Sequence, residues 1–468
     1  MTRKSLLTGL VLLVTAVPLF ATQFVLETSP SVAPAVAANY GLTIIGQIAN
    51  SDLFLVTAPD AIDVTLLVNM VSADPSVLDF EVDNLVTTPE ASPAVAAPAT
   101  KSSILGGATI TTAVGSLLNL DQSTGGILDS VSQATVVTYY GTQVPSYYVS
   151  QTATSLINLG EEQSQYGAAG AGIVAIIDTG VDPNHLALQG VLLPGYDFTR
   201  GQNGANEFQD LDQSTAGILD QSTGGILDMN TVVTLNQSTA GILDQSTAGI
   251  LDTTMIPADF GHGTMVAGIV HLVAPQAKIL PLKAFSADGT GQIYNVVAAI
   301  HYAVDAGANV INMSFDYGQA QSRMLNEALD YATDNGVICV ASAGNKDSSI
   351  AVYPAGSRMT ISVASTTTDP IPDLQSVFTN YGPWVSLAAP GEAIRTTYPG
   401  NHYAAAWGTS FSAPFVSGTV ALLYQYGRLN EEEVSQALRN ASWINWNLGW
   451  GRLDVYRAVG AYVSGSGH

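Results

Sequence analysis

A chain of 468 residues, 47% of them apolar, can build two or three domains around a large core. Fourteen Lys and Arg against 38 Asp and Glu give a formal net charge of −24, a balance that repels nucleic acid and anionic membrane surfaces and excludes both as expected partners. The single cysteine, Cys339, excludes an intramolecular disulfide.

At the N-terminus, Arg3 and Lys4 precede an apolar run from Leu6 to Phe20, broken by Pro18 and followed by Ala21. That is the order of a secretory signal, with cleavage expected after Ala21, or alternatively at Ala37 or Ala38; an uncleaved anchor is the other reading. The expected location is secreted, periplasmic or extracellular, with no membrane attachment once residues 1–21 are removed. No other stretch is long and apolar enough to cross a bilayer.

Residues 39–87 read as a small α+β unit. Leu42 to Ile48 and Leu53 to Thr57 predict strands. Asp60 to Val71 predicts a short helix with Ile62, Leu66, Leu67 and Met70 at helical spacing, and Val77 to Val86 returns as strand. Residues 88–146 read as linker and pro-region, opening on the Ala- and Pro-rich run from Pro89 to Ala99.

From Tyr147 the pattern becomes a long alternation, expected to form one domain over residues 147–462. Strands are predicted at Ile173 to Ile177, Val310 to Met313, Val337 to Ser342 and Thr360 to Ala364. Helices are predicted at Thr264 to His271, Ile293 to Ala306, Arg323 to Asn335, Phe411 to Tyr426 and Asn430 to Arg439. Such alternation predicts an α/β fold with a mostly parallel sheet covered on both faces. No substantial further domain is expected after the Gly451 to Val455 segment.

Inside this region, residues 212–251 consist of five eight-residue units with the consensus D-Q-S-T-A/G-G-I-L; the third, Asp228 to Leu235, has diverged, and a further copy stands alone at Asp121 to Leu128. From Gly201 to Ala277 there are eight acidic residues and no Lys or Arg. Three readings stay open, one of them a regularly spaced row of Asp that binds Ca²⁺, for which no known loop spacing is matched. The block is a tolerated surface insertion, since loop closure costs little more as loops lengthen. Alternatively, the adjacent Ile and Leu of each unit let the units stack as short strand-and-turn elements.

Three glycine-flanked segments carry chemistry: Ile177-Asp178-Thr179-Gly180, Gly261-His262-Gly263-Thr264 and Gly408-Thr409-Ser410-Phe411-Ser412-Ala413-Pro414. An alcohol is a poor nucleophile at neutral pH unless a base lies within hydrogen-bond reach and a third group orients that base. Ser410 is the candidate nucleophile, at a helix start with Pro414 in the first turn. His262 is the candidate general base. Asp178, at the end of a buried strand, is the candidate that holds the imidazole tautomer. The order Asp, His, Ser and the absence of a G-x-S-x-G elbow at Ser410 argue against an esterase of the α/β-hydrolase kind.

With these motifs in hand, the chain resembles the subtilisin-like serine endopeptidases from about Tyr147 to Ala461. The segment Val174 to Asp182 resembles the family's Asp motif, Gly261 to Gly268 its His motif, and Gly408 to Pro414 its Ser motif. Ala341-Ser342-Ala343-Gly344-Asn345 resembles its oxyanion segment. Upstream, Ala73-Asp74-Pro75-Ser76-Val77-Leu78-Asp79-Phe80-Glu81-Val82-Asp83-Asn84 resembles the end of the family's inhibitory propeptide.

The resemblance implies a three-layer subtilisin-like domain, preceded by a small α+β propeptide. It implies peptide hydrolysis by Asp178, His262 and Ser410 through an acyl-enzyme, with the Asn345 amide donating to the oxyanion. Val310 to Phe315 would bind substrate backbone, with Ser314, Phe315, Ala343, Gly344 and Val352 around the primary pocket. Val352 would shorten that pocket and favour medium apolar residues over large aromatic ones before the cleaved bond. The implied partners are polypeptide substrates and the chain's own propeptide.

Two departures stand out. His185-Leu186-Ala187-Leu188 lacks the Pro and the acid that serve a calcium site in many subtilisins. Val270-His271-Leu272-Val273-Ala274-Pro275 passes straight to the next strand, without the usual calcium loop. No cofactor is expected, no residue is assigned as a metal ligand, and a structural calcium would have ligands the sequence does not name. The alternative to an active, self-processed zymogen is a catalytically silent subtilisin-fold binding or surface protein.

Overall fold

The computed structural model describes residues 22–58, 63–88, 103–105, 108–110, 135–211, 232–234, 257, 259–318, 321–368 and 372–465. The proposed signal at residues 1–21, the isolated octapeptide at Asp121 to Leu128 and all of the 212–251 block except residues 232–234 lie outside them. The chain divides into two compact units, residues 1–83 and 84–468.

The first unit runs β1 (Gln23–Glu27), α1 (Ala33–Tyr40), β2 (Thr43–Gln47), β3 (Leu53–Thr57), α2 (Val64–Ser72) and β4 (Asp79–Val82). Its sheet order is β2-β3-β1-β4, antiparallel throughout, the split βαβ arrangement. Phe24 and Leu26 of β1 are fully buried, and Phe24 stacks on Phe80 of β4 with centroids 4.9 Å apart.

This corrects two expectations. A unit beginning at residue 39 omits β1, an interior strand of the sheet. Cleavage at Ala37 or Ala38 would cut α1 and remove Ala37, which sits in the core. The Ala-rich run that reads as a cleavage site is instead a helix, with Pro34 in its first turn and Gly41 in the left-handed region at its end. The buried stripe of α2 also differs from the predicted one. Asp63 caps the helix by accepting from Leu66 N at 3.0 Å, and that phase turns Leu67 and Val71 inward, leaving Leu66 and Met70 exposed within this unit.

The second unit opens with β5 (Leu85–Thr87), the hairpin of β6 (Ser103–Leu105) with β7 (Ala108–Ile110), and the hairpin of β8 (Val136–Tyr139) with β9 (Thr142–Pro145). Short helices α3 (Ser146–Val149), α4 (Thr152–Leu156) and α5 (Leu159–Gln165) follow. The β8–β9 hairpin belongs to the core, so the domain boundary lies upstream of Tyr147. Tyr139 and Tyr148 are buried, and their hydroxyls donate to the carbonyls of Leu272 at 2.6 Å and Gly268 at 2.7 Å.

The central sheet is built from β10 (Ile173–Asp178), β11 (Tyr196–Asp197), β12 (Gln202–Asn203), β14 (Lys278–Lys283), β16 (Val310–Met313), β17 (Ile338–Ser342), β18 (Thr360–Thr366) and β19 (Leu387–Pro390). Its order is β12-β11-β14-β10-β16-β17-β18-β19, and only β12 runs antiparallel to its neighbour. The interior strands are near-continuous apolar runs, as a sheet covered on both faces requires. Helices α6 (His262–Val273) and α9 (Ala413–Tyr424) pack together, as do α7 (Ile293–Asp305) and α8 (Arg323–Asp334). Every residue of α6 is buried. The polar starts of α8 and of α10 (Glu431–Leu438) are capped by Ser322 and Asn430, and α11 (Val455–Gly465) closes the described chain.

A small sheet of order β13-β21-β20 joins β13 (Val232–Thr234), β20 (Ile394–Tyr398) and β21 (His402–Ala406); β15 (Thr290–Gln292) pairs with β5. Strand β13 comes from the diverged third octapeptide unit and runs parallel to β21. Among the described residues no helix is long and apolar enough to cross a membrane.

Candidate active site

Asp178 is the last residue of β10, at the carboxyl edge of the parallel sheet, where open α/β sheets form their clefts. Its Oδ1 accepts from Thr179 N at 2.7 Å and lies 2.7 Å from Nδ1 of His262. Both side chains are about 1% exposed, so their attraction is little screened. His262 begins α6. Gly261 caps it with φ of +93°, a conformation costly for a side-chain-bearing residue. A Cβ on Gly263 would collide with Gly180 O and press on Asp178, so the second glycine of the Gly-His-Gly segment is what lets the helix start approach the strand end.

Ser410 lies in a 3₁₀ turn, Thr409–Phe411, immediately before α9, which begins at Ala413 rather than at Phe411 and carries Pro414 in its first turn. The ring of Phe411 stands 5.4 Å from that of His262, which brings the two segments together. The Ser410 carbonyl accepts from Ser314 Oγ at 3.0 Å, and its Oγ lies 3.5 Å from Ser314 O. Ser314 Oγ accepts from Asn312 Nδ2 at 2.9 Å, and Asn312 Oδ1 accepts from Ser417 Oγ at 2.8 Å.

Asn345 faces the same turn. Its Oδ1 accepts from the N–H and the hydroxyl of Thr409, each at 2.9 Å, which fixes the amide with its carbonyl end on Thr409. Gly344 N donates to Thr409 Oγ1 at 3.0 Å. Val352 is buried near Gly344. The Phe315 side chain is also buried, packed on Phe285 at 5.1 Å, so this residue can meet a ligand only through its backbone.

Residues outside the three motifs hold these groups. Asn380 donates to Ala343 O at 2.8 Å and accepts from Lys346 N and Ser348 N at 3.0 Å, while its own N–H donates to Gly344 O at 2.8 Å. It therefore sets the course of residues 343–348. In the sequence, Thr379-Asn380-Tyr381-Gly382 reads only as a turn.

On the histidine side, Glu207 is fully buried; it accepts from Gly261 N at 2.8 Å and meets the Thr264 hydroxyl. Burial pushes its pKa up to about 8, so it holds a proton at neutral pH. Lys283, also fully buried, donates to Thr179 O at 2.7 Å, Phe285 O at 2.6 Å and Asp210 Oδ2 at 2.6 Å. Arg200 pairs with Asp210 at 2.6 Å and with Asp197 at 3.1 Å. The spacing of Glu207 and Asp210 just ahead of the repeat block was the available signal; local pattern could not show that they turn inward.

Residues 84–88 run between β15 and the segment that follows β16. Strand β5 pairs antiparallel with β15, from Leu85 opposite Gln292 to Thr87 opposite Thr290. On its other side Thr87 exchanges hydrogen bonds with Asp316, at 3.2 and 2.9 Å, and Thr88 N donates to Gly289 O at 2.9 Å. An extended segment is thus added as a strand between two others. Among the described residues, no group of three or more His, Cys, Asp or Glu side chains gathers where it would hold a metal ion.

The subtilase family profile matches residues 170–460. Over 290 residues the chain is 34% identical to the thermophilic serine proteinase of Bacillus sp. (strain AK1), covering 61% of each chain. It is 32% identical over 297 residues to thermitase of Thermoactinomyces vulgaris, covering 62% of this chain and 90% of that one. Among solved structures, fervidolysin from Fervidobacterium pennivorans, described as a keratinolytic enzyme related to subtilisin, aligns with a TM-score of 0.64. The identity is 20%, over 94% of this chain and 61% of that one. At that identity the likeness is one of fold, and it is the α/β, mostly parallel subtilisin-like fold.

Proposed function

This chain belongs to the subtilase family, and on that premise we propose that it is a secreted serine endopeptidase made as a self-processed zymogen. One observation supports the reading beyond membership. Residues 85–88 lie as an extended peptide between β15 and the segment after β16, whose Ser314 carbonyl lies 3.5 Å from Ser410 Oγ.

In this reading Ser410 Oγ attacks the substrate carbonyl carbon as His262 Nε2 takes its proton. Asp178 holds the opposite ring nitrogen and stabilises the imidazolium. The carbonyl oxygen becomes an anion, met by the Ser410 N–H and the Asn345 amide donor. The imidazolium then protonates the departing amine as the C–N bond breaks and the acyl-enzyme forms. Water, deprotonated by His262, releases the acyl group and restores Ser410. Val352 at the pocket favours medium apolar residues before the cleaved bond.

The N-terminal unit and residues 84–88 act as an intramolecular inhibitor. The first self-cleavage is expected downstream of this segment, within residues 88–150. The test is to express wild type and Ser410→Ala and compare intact mass, N-terminal sequence and fluorophosphonate labelling. A new terminus within residues 88–150 and labelling, both in the wild type only, are the expected results. An unlabelled, unprocessed wild type overturns the reading and leaves the silent binding protein.

A further inference from the structure

Glu207 opens a 3₁₀ turn, Glu207–Asp210, which Asn206 caps by accepting from Phe208 N at 3.0 Å. It is fully buried, yet it takes no part in the chemistry just described. Its two carboxyl oxygens reach two points on the first turn of α6. Oε2 accepts from Gly261 N at 2.8 Å, and Oε1 shares a hydrogen bond with the Thr264 hydroxyl. His262 lies between those two residues. Thr264 also ties α6 to the loop after β10, since its Oγ1 accepts from Asp182 N at 2.8 Å, and Gly263 N donates to Thr179 Oγ1 at 3.1 Å. Gly261 is closed in on its other side, where a Cβ would collide with the Tyr398 ring. Asp182 and Lys283 are the charged groups that bear on the carboxyl, and the Tyr398 phenol is a further ionisable neighbour.

We propose that Glu207 is a positioning residue for His262, clamping the start of α6 at Gly261 and Thr264 so that Nδ1 stays on Asp178. The inference rests on the endopeptidase reading, in which His262 moves the proton. One hydrogen bond to Nδ1 leaves the imidazole free to shift with the helix end. Holding the chain on both sides of His262 removes that freedom before a substrate arrives, and a displacement of about 1 Å at a reacting group costs on the order of 100-fold in rate. The same carboxyl reaches the Asp segment through Thr264 and Asp182, so a single side chain sets both partners of the Asp178–His262 bond. Burial keeps the carboxyl protonated at neutral pH, which makes glutamine its closest replacement.

The experiment expresses the full chain as wild type, Glu207→Ala, Glu207→Gln and Thr264→Val, and reads kcat and KM on one peptide substrate after self-processing. Glu207→Ala and Thr264→Val are expected to lose about 10- to 100-fold in kcat with KM unchanged, because a displaced base is felt in the transition state and not in binding. Glu207→Gln is expected to restore kcat to within about threefold of wild type. Where Glu207→Ala does not fold or process, Thr264→Val, which keeps the shape, decides by the same measure. Unchanged kcat in these variants, or a loss carried by KM, overturns the proposal. The second readout needs no turnover: the far-downfield proton of the Asp178–His262 hydrogen bond, followed by NMR in full chains that also carry Ser410→Ala. Faster solvent exchange of that proton with Glu207→Ala, reversed with Glu207→Gln, upholds the clamp. A wild type that cleaves no peptide overturns the endopeptidase reading instead, and the proton then decides alone: unchanged exchange with Glu207→Ala refutes the positioning role.

Discussion

The two walls of the cleft are held together by different physics. The serine turn is held by uncharged groups: Ser314, Asn312, Ser417, Thr409, Asn345 and Asn380 hydrogen-bond around Ser410, with the Lys346–Asp316 pair at 3.6 Å to one side. The histidine wall is ionisable: Asp178, Glu207, Asp210, Lys283 and Arg200 surround the start of α6 and the strand end that faces it. A neutral network costs little to bury once every group has a partner, and it ignores pH. Buried charges cost several kcal/mol each to desolvate and persist only as pairs or as protonated acids. The titrating acid Glu207 lies on this side, so the pH response is set on the histidine wall.

The sharpest way to break this contrast is Asp178→Asn. It keeps the shape and removes the charge that orients His262, and a fall of roughly 10⁴-fold in kcat is expected in a peptide hydrolysis assay. Next comes Lys283→Met, which takes the buried ammonium from Asp210, leaving it Arg200 and Ala287 N, and from the carbonyls of Thr179 and Phe285. A loss of about 3–5 kcal/mol in urea unfolding is expected, and a variant as stable as wild type would remove the charged wall from the account.

On the neutral wall, Asn345→Ala should cost about 10²–10³-fold in kcat while leaving KM and stability nearly unchanged. Asn380→Ala leaves Ala343 O and two N–H groups without their partner. It should lose about 1–3 kcal/mol, by the same amount at every pH tested.

A titration separates the walls most cleanly. The Glu207 pKa is raised from 4.5 to about 8 in the folded chain. Between those values the folded state binds more protons than the unfolded state, so this group's contribution to stability is complete below pH 4.5 and is lost as pH rises through 8. Glu207→Gln should flatten that alkaline decline in melting temperature measured across the interval. His271, pushed down to about 4 by burial, has the opposite sign: its contribution is present above 6.5 and is lost as pH falls toward 4. Asn380→Ala should leave both slopes as they are.

Much of the fold was legible because local pattern and burial coincide. Strand β10, helices α7 and α8, and the parallel order follow from apolar runs and helical spacing. The three motif segments were legible because glycine is needed where a helix start touches a strand end, as Gly263 does against Gly180. The N-terminal unit was read short because an alanine-rich helix and a small-residue cleavage site look alike in one sequence. The boundary at Tyr147 was set too late because the β8–β9 hairpin is bound to α6 by the Tyr139 hydroxyl, which no periodicity reveals.

The sequence by itself determined the chemistry that local residue order can carry: an Asp at a strand end, a His and a Ser each at the start of a helical segment, and an Asn within reach of the same turn. Only the tertiary structure decided what surrounds them. Whether Glu207 keeps its proton, whether Lys283 is dry, and whether Asp259 meets Thr88 depend on desolvation and on contacts between residues as much as 171 positions apart. Those are set when the parallel strands and their crossover helices are assembled, because burial, rather than residue type, fixes the energy of a charge.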